Sequence, residues 1–278
     1  MTGFGDRLAA AAAQRGPLCV GIDPHAQLMR DWGLDDTVDG LRRFSLTAAE
    51  ALAPVCAAIK PQSAFFERFG SAGIAVLEQT IAVCRDAGAL VVLDIKRGDI
   101  GSTAGAYADA YLRKESPLFS DAVTVSPYLG FGSVRPFIEA ALAAGSGVFV
   151  LARTSNPEGA QVQQARAADG RTVAQTVIDE VAACNALEVS AGATLGSLGV
   201  VVGATVAAGE VDLRHLAGPV LAPGLGAQGA TAADLRAALG DAPLVLGSSS
   251  RDVLRAGPRS ADLVRRAAEA ADAMRGTG

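Results

Sequence analysis

Four charged residues lie at the ends of short apolar runs and a fifth follows in the next loop, where side chains could be gathered for chemistry. Asp94 and Lys96 close the run VVLDIK, and Lys60 closes the earlier run AAIK. Asp23 follows VGI, while Asp99 comes three residues after Lys96 and completes the spacing Asp-x-Lys-x-x-Asp. Asp and Lys are rarely buried without partners. Alternating carboxylates and ammoniums keep each other charged, so this set predicts a fixed electrostatic field with Lys96 as a possible proton donor.

Two other interpretations of these residues remain open at this point. The charges could form a buried network of salt bridges that only closes one end of a sheet, although buried ion pairs contribute little net stability. Lys60 or Lys96 could also form a Schiff base with a carbonyl substrate, as in an aldolase. Histidine catalysis is disfavoured because the chain has only two histidines, His25 and His215.

Eight short apolar runs rich in Val, Ile and Leu recur along the chain and predict the strands that must position these residues. The runs are continuous rather than alternating, which is typical of strands buried on both faces of a parallel sheet. They cover residues 18–22, 55–59, 90–95, 122–125, 148–152, 198–202, 220–222 and 244–246.

Helical patterns separate most of these runs, most clearly at residues 74–87, 173–187 and 232–239. Eight alternating strand and helix signals predict an α/β protein with a closed (β/α)8 TIM barrel, in which chemistry lies at the carboxyl ends of the strands. The competing doubly wound sheet is disfavoured because no G-x-G-x-x-G follows the first strand. We therefore expect one domain over residues 1–278, with an N-terminal helical extension at 1–16 and a long loop at 157–171.

Composition narrows the class of protein further. A formal net charge of -5 and a sequence pI near 5.1 disfavour a nucleic-acid surface, which requires basic patches. The four cysteines lie in apolar runs without C-x-x-C spacing, as expected for buried thiols in a reducing compartment. The start of the chain lacks a signal-peptide core. Residues 189–209 are uncharged, as in a membrane span, but rich in glycine, so we expect turns around a buried strand there instead. We therefore expect a cytoplasmic protein.

The motif at residues 93–103 (LDIKRGDIGST) resembles the signature of orotidine 5'-phosphate decarboxylases. Further segments resemble that family in the same order along the chain. They are CVGID at 19–23, IKP at 59–61, TSNP at 154–157 and PGLGAQG at 223–229. The pattern is most similar to the longer bacterial branch found in high-GC organisms.

The resemblance implies a lyase that converts orotidine 5'-phosphate into UMP, the last step of de novo UMP synthesis, without metal or cofactor. Lys96 would donate a proton to C6 of the pyrimidine, and Asp94, Lys60 and Asp99 would complete the charged array. It also implies a homodimer in which Asp99 and Thr103 are donated across the interface to the neighbouring site.

The resemblance assigns substrate contacts to residues on other loops. Asp23 would bind the ribose, Ser155 the pyrimidine, and Gln228 and Arg251 the phosphate. Many relatives have Gly-Arg-Ser after the eighth strand, whereas this chain has the sequence SSSRD at 248–252. Arg251 is the match to the phosphate arginine, and Arg255 is the alternative.

Two other functions remain open for these residues. A sugar-phosphate decarboxylase or aldolase-type enzyme of the same superfamily would also have Asp-x-Lys-x-x-Asp, but would use magnesium and an enediolate. Ser155 and Gln228 favour the nucleotide instead. A non-catalytic module that only binds phosphate ligands is the other alternative, and the presence of every charged residue in the motif argues against it.

Overall fold

Eight parallel strands form the centre of the structure, a computed structural model that describes residues 2–226 and 230–275. Each strand pairs with the next one along the chain, and the last pairs with the first, which closes a barrel. The strands are β1 (Leu18–Ile22), β2 (Ala58–Pro61), β3 (Leu90–Arg97), β4 (Ala122–Val125), β5 (Gly147–Arg153), β6 (Leu198–Val202), β7 (Pro219–Pro223) and β8 (Leu244–Ser249). The prediction of a (β/α)8 barrel is confirmed.

The apolar runs became strands because both faces of the barrel wall are covered. One face contacts the barrel interior and the other contacts the surrounding helices, so every residue of β1, β4 and β6 is buried. These three strands have the bounds that the sequence predicted. Strands β3 and β8 extend two and three residues beyond the predicted ends, which carries polar residues such as Lys96 and Ser249 into the rim of the barrel.

The predicted bounds of the second strand, 55–59, are wrong. Residues 53–55 form a turn after the preceding helix, where the amide of Cys56 donates to the carbonyl of Leu52 at 3.0 Å. Val55 lies in this turn and is 38% exposed, so its apolar side chain belongs to a connection rather than to the sheet. The strand instead continues through Lys60, which pairs with Gly21 of β1 and is thus fixed within the barrel wall.

Helices surround the barrel and follow most strands. They are α1 (Phe4–Arg15), α2 (Ala26–Asp31), α3 (Val38–Leu52), α4 (Ala64–Glu67), α5 (Gly70–Asp86), α6 (Gly101–Leu112), α7 (Arg135–Ala144), α8 (Ala160–Gln163), α9 (Val173–Ser190), α10 (Ala232–Leu239), α11 (Arg251–Leu254) and α12 (Ser260–Arg275). The connection between β6 and β7, residues 203–218, contains turns and no helix. Helix α10 has the predicted bounds, and α5 and α9 start or end a few residues from theirs.

The N-terminal helix α1 closes the bottom of the barrel, opposite the carboxyl ends of the strands. Its Phe4 ring meets the Phe149 ring edge-on, with centroids 6.0 Å apart. A Cβ at Gly147 would lie 2.2 Å from the Phe4 ring, so only glycine lets this ring enter the barrel. Phe4 and Leu8 join the inner side chains of the strands in one buried cluster, which leaves the opposite end for a binding site.

The two unusual segments noted in the sequence differ in their secondary structure. Residues 157–171 contain a 3-10 turn (Pro157–Gly159), the short helix α8, and Arg166, which forms a β-bridge with Thr172 just after the segment. The glycine-rich stretch 189–209 contains β6 between turns, as expected. No helix within the described residues is long and apolar enough to cross a membrane.

Candidate active site

A cavity of about 540 Å³ opens at the carboxyl ends of the strands. This volume suits a small-molecule ligand. The lining includes residues from every strand or strand end except β4. Six residues named from the sequence line it together: Asp23, Lys60, Asp94, Lys96, Ser155 and Arg251.

Asp94 lies at the centre of the charged part of this cavity. Its Oδ2 accepts from Nζ of Lys60 at 3.0 Å, and its Oδ1 accepts from Nζ of Lys96 at 2.6 Å. The Asp94 and Lys60 side chains are each 7% exposed, whereas the Lys96 side chain is 45% exposed. Lys60 is therefore the buried partner of Asp94, and Lys96 is the ammonium that a ligand in the cavity can reach.

The array holds its own charges in place. Burial alone would raise the pKa of Asp94, but the ammoniums of Lys60 and Lys96 outweigh it and hold this pKa well below its usual range. Burial alone would lower the pKa of Lys60, but the carboxylates of Asp94 and Asp23 hold it above its usual range. Beneath them, burial raises the pKa of the Cys19 thiol to about 12, so Cys19 is not a nucleophile near neutral pH.

The backbone at Lys96 departs from regular strand geometry. Lys96 has a φ of 45°, in the left-handed region that non-glycine residues seldom adopt. The pairing of β3 with β4 shifts register between Leu93 and Arg97. Bulges of this kind re-aim side chains next to active sites. Here the irregularity places the Lys96 ammonium beside Asp94 and within 3.4 Å of the Gln62 side-chain oxygen.

Asp23 follows β1, two strands away from β3 in the barrel wall, and lines the cavity. Its Oδ1 is buried and has no hydrogen-bond partner among the described residues, which leaves an acceptor for a ligand. A Cβ at Gly21 would lie 2.8 Å from Cβ of Ser250 and 3.2 Å from Oδ1 of Asp23. Glycine at position 21 thus allows Asp23 and the end of β8 to come close together.

The loop after β5 is held by reciprocal hydrogen bonds. The amide of Thr154 donates to Oε1 of Gln163 at 2.9 Å, and Nε2 of Gln163 donates to Oγ1 of Thr154 at 2.8 Å. A Cβ at Gly203 would lie 2.8 Å from the amide nitrogen of Ser155, so this glycine lets Ser155 pack against the end of β6. Ser155 and Gln163 both line the cavity as a result.

The far end of the cavity is formed by the segments after β7 and β8. Gly224, Leu225, Ser250 and Arg251 line it, and Arg255 is not among the lining residues. The geometry favours Arg251 over Arg255 as the cation available to a ligand. Gln228, the other residue predicted to bind phosphate, lies outside the described residues.

Asp99 and Thr103 are not among the lining residues of the cavity in the same chain. Asp99 lies half-buried in the loop before α6, where its Oδ1 accepts from the amide of Ile100 at 2.8 Å. Thr103 is exposed in the first turn of α6. Neighbouring apolar side chains are also exposed: Ile100 at 61%, Tyr128 at 76% and Leu129 at 53%.

A metal site would require several carboxylate, imidazole or thiolate donors close together. Within residues 2–226 and 230–275 no group of three or more His, Cys, Asp or Glu side chains could hold a metal ion. Both oxygens of Asp94 already accept from ammonium groups.

Most of the chain matches one known protein family. The model of the orotidine 5'-phosphate decarboxylase / HUMPS family matches residues 16–260, which include the whole barrel wall and the cavity. The chain belongs to the orotidine 5'-phosphate decarboxylase / HUMPS family. The resemblance found in the sequence is thereby confirmed.

Individual members of the orotidine 5'-phosphate decarboxylase / HUMPS family are similar over nearly the whole chain. An orotidine 5'-phosphate decarboxylase from Salinispora arenicola is 62% identical over 264 residues, covering 95% of this chain and 94% of the relative. A crystal structure from Streptomyces avermitilis is 57% identical, with a TM-score of 0.95 over 100% of this chain and 96% of that chain. The OMP decarboxylase of Leishmania donovani is 32% identical, with a TM-score of 0.76 over 99% of both chains.

Three polar residues of this orotidine 5'-phosphate decarboxylase / HUMPS family member were missed in the sequence. Gln62 and Gln163 line the cavity, and Thr124 hydrogen-bonds to Asp94 from β4. Gln62 could have been found because it lies two residues after Lys60, directly beyond the end of β2, where continued alternation gives the two side chains the same direction. Thr124 is the one hydroxyl residue in the apolar run 122–125, and such a break in a buried strand is the available signal.

Proposed function

We propose that this chain decarboxylates orotidine 5'-phosphate to UMP, the last step of UMP synthesis. The observation that carries the proposal is the accessible Lys96 ammonium, held 2.6 Å from the buried Asp94 carboxylate inside a nucleotide-sized cavity. The name of the Salinispora relative, at 62% identity over nearly all of both chains, supports the same activity.

The reaction breaks the bond between C6 of the pyrimidine and its carboxylate. Carbon dioxide leaves, and the bonding electrons remain on C6 as a carbanion that the ring cannot delocalise. The fixed positive charge of Lys96 stabilises this developing negative charge, and Lys96 Nζ then transfers a proton to C6. The neutral amine regains its proton from solvent, so the step requires no oxidant and no electron sink.

The neighbouring charges give Lys96 its function. Asp94 fixes the ammonium through the 2.6 Å contact, and Lys60 neutralises the other oxygen of Asp94 from below. A substrate carboxylate placed beside Asp94 would be destabilised before it leaves. The array is preorganised by the barrel wall, so little reorganisation is needed during the reaction.

Other loops provide the substrate contacts in this proposal. The unpartnered Oδ1 of Asp23 accepts from a ribose hydroxyl, and Ser155 contacts the pyrimidine. Arg251 holds the phosphate at the far end, and Gln228 is the second phosphate ligand predicted from the sequence. Binding energy from the phosphate, remote from the reacting bond, can then stabilise the transition state.

We expect turnover of orotidine 5'-phosphate without any divalent metal. Magnesium requires oxygen ligands, and here both oxygens of the central carboxylate are engaged by ammonium groups that would repel a cation. The loss of pyrimidine absorbance should proceed at the same rate in EDTA and in added magnesium. Activity that EDTA abolishes and magnesium restores would favour the magnesium-dependent sugar-phosphate reaction instead.

We further propose a homodimer in which the partner subunit's Asp99 and Thr103 complete each cavity. Two observations support this: Asp99 and Thr103 do not line the cavity of their own chain, and the exposed Ile100, Tyr128 and Leu129 lie on the loops after β3 and β4. Exposed apolar side chains beside a functional loop are typical of a protein interface.

Donation across the interface predicts complementation between two inactive variants. Mixing Lys96→Ala with Asp99→Ala protein should restore about one quarter of wild-type activity after random subunit exchange, because one site of each mixed dimer receives both native groups. Steady-state turnover would be measured once native mass spectrometry shows mixed dimers.

A matched mixture controls for this effect. Lys96→Ala mixed with Asp94→Ala should stay inactive, because both residues belong to the same chain's site and no mixed dimer contains an intact one. Activity that remains absent from the first mixture, despite proven subunit exchange, would contradict donation in trans.

A cytoplasmic location fits the proposed reaction. All four cysteines are unpaired thiols, and burial raises the pKa of Cys56 and Cys84 to about 12. Thiols that are kept unpaired are usual in reducing compartments. The phosphorylated substrate and product would also stay inside the cell, because a charged phosphate crosses membranes poorly.

A further inference from the structure

Thr124 connects the two residues at the centre of the proposed chemistry. It lies in β4, its side chain is turned toward β3, and it is 1% exposed. Its Oγ1 donates to Oδ1 of Asp94 at 2.7 Å and accepts from the backbone amide of Lys96 at 3.0 Å. One buried hydroxyl therefore contacts both the carboxylate and the backbone that carries the ammonium.

The strained backbone of Lys96 explains why such a contact is needed. Leu93 pairs with Val123 and Arg97 with Val125, so three residues of β3 lie opposite the single residue Thr124. An irregular pairing of this kind takes the part-buried Lys96 amide out of the regular ladder, and an amide shielded from water without a partner is costly. The Thr124 hydroxyl takes the place of the missing backbone acceptor.

The φ of 45° at Lys96 is a second cost that its surroundings must offset. Strained conformations of non-glycine residues persist only where neighbouring contacts fix them, and they occur frequently at active sites. The contacts that fix this one are the hydrogen bond from the Lys96 amide to Thr124 and the ion pair from Nζ to Asp94. Thr124 makes the first contact itself and hydrogen-bonds to the same Asp94 oxygen that the ammonium contacts in the second.

We propose that Thr124 is a positioning residue that holds Lys96 in its strained conformation and aims its ammonium at the reacting carbon. This inference rests on the proposed decarboxylation, since Lys96 is the proton donor there. A hydroxyl is suited to the task because it donates and accepts at once. The β-branched side chain also has a restricted χ1 angle, so the hydroxyl is held in one direction.

The alternative is that Thr124 only satisfies buried polar groups and stabilises the fold. The two roles predict different kinetics. A positioning role affects the transition state more than the ground state, so kcat falls while the affinity for UMP persists. A purely structural role lowers thermal stability, or lowers binding and turnover together.

The kinetic test compares Thr124→Val, which keeps the shape but removes the hydroxyl, with Thr124→Ser, which keeps the hydroxyl. Thr124→Val should lower kcat by roughly tenfold to a hundredfold, the usual effect of small misplacements at a reacting centre. Its dissociation constant for UMP should stay within about threefold of wild type. Thr124→Ser should retain most of the wild-type kcat.

Several kinetic results would overturn the proposal. They are an unchanged kcat in Thr124→Val, equal impairment of the Ser and Val variants, or a parallel loss of kcat and UMP affinity. If the Val variant does not fold, Thr124→Ala replaces it in the same comparison with Thr124→Ser.

The contact with the Lys96 backbone can be tested without any turnover. The chain has three lysines, Lys60, Lys96 and Lys114, so 15N-lysine labelling gives three backbone amide signals. Hydrogen exchange of the Lys96 amide should be about tenfold faster in Thr124→Val, because its acceptor is gone. Lys60 lies in β2 and Lys114 is exposed after α6, so they provide the protected and the unprotected reference.

The two measurements separate the failure of this inference from failure of the proposed function. Wild-type protein that does not consume orotidine 5'-phosphate would contradict the decarboxylase proposal, while the exchange rate would still report whether Thr124 holds the Lys96 backbone. Wild-type turnover combined with an unchanged Lys96 exchange rate in Thr124→Val would overturn the positioning role alone.

Discussion

Replacing Lys96 with alanine is expected to lower kcat by at least about 10³-fold while UMP still binds. Loss of one preorganised electrostatic contact typically costs about 10²–10³-fold. Loss of a general acid costs about 10²–10⁴-fold. Lys96 provides both effects in the proposed mechanism, because its ammonium stabilises the carbanion at C6 and then protonates it.

The fold should tolerate this change because of how the charges are arranged. The Lys96 side chain is 45% exposed, and Asp94 keeps its buried ion pair with Lys60 and its hydrogen bond from Thr124. No buried carboxylate is left without a partner, which is the change that would be strongly destabilising. The ribose, base and phosphate contacts are on other loops, so the affinity for UMP should change little.

The measurements are kcat, the dissociation constant for UMP and the melting temperature. Lys114→Ala is the matched control, because Lys114 is the third lysine and is exposed away from the cavity. It should match wild type in all three. Comparable losses of turnover and UMP affinity in Lys96→Ala would show that Lys96 acts in binding or folding rather than in the chemical step.

The barrel could be predicted because its strands correspond to continuous apolar runs in the sequence. The ends of the strands were harder to predict, because a run of apolar residues and the hydrogen-bonded ladder of a strand can end at different positions. Val55 is apolar but lies in a turn, whereas Ser248 and Ser249 are polar but continue β8. Their pairing with Cys19 and Val20 of β1 decides the matter, and pairing between the two ends of the chain is invisible in a local pattern.

The charged part of the site could also be predicted, because Asp94 and Lys96 interrupt an apolar strand. What could not be predicted is how they are held. Regular alternation puts Asp94 and Lys96 on one face, but the actual contact depends on the register shift against β4 and on the left-handed backbone of Lys96. The register shift exists only in the pairing with β4, so the importance of Thr124 emerges only in three dimensions.

Replacing Arg251 with alanine is expected to weaken ligands that carry a 5'-phosphate and to spare those that lack it. Arginine suits phosphate because its planar guanidinium donates two parallel, charge-assisted hydrogen bonds. Arg251 lines the far end of the cavity beside Ser250 and Gly224, where small residues let a phosphate approach the backbone.

The affinity for UMP should fall by about 2–3 kcal/mol, roughly 30- to 150-fold, the usual cost of losing a charged hydrogen-bond partner. The affinity for uridine, which lacks only the phosphate, should stay nearly constant. Calorimetric titration of both ligands measures the difference.

Arg255→Ala is the matched control: Arg255 is exposed one helical turn further on and does not line the cavity, so its loss should leave both affinities unchanged. Equal penalties for UMP and uridine in Arg251→Ala would mean that Arg251 acts through folding, and a selective loss of UMP in Arg255→Ala would make Arg255 the phosphate residue.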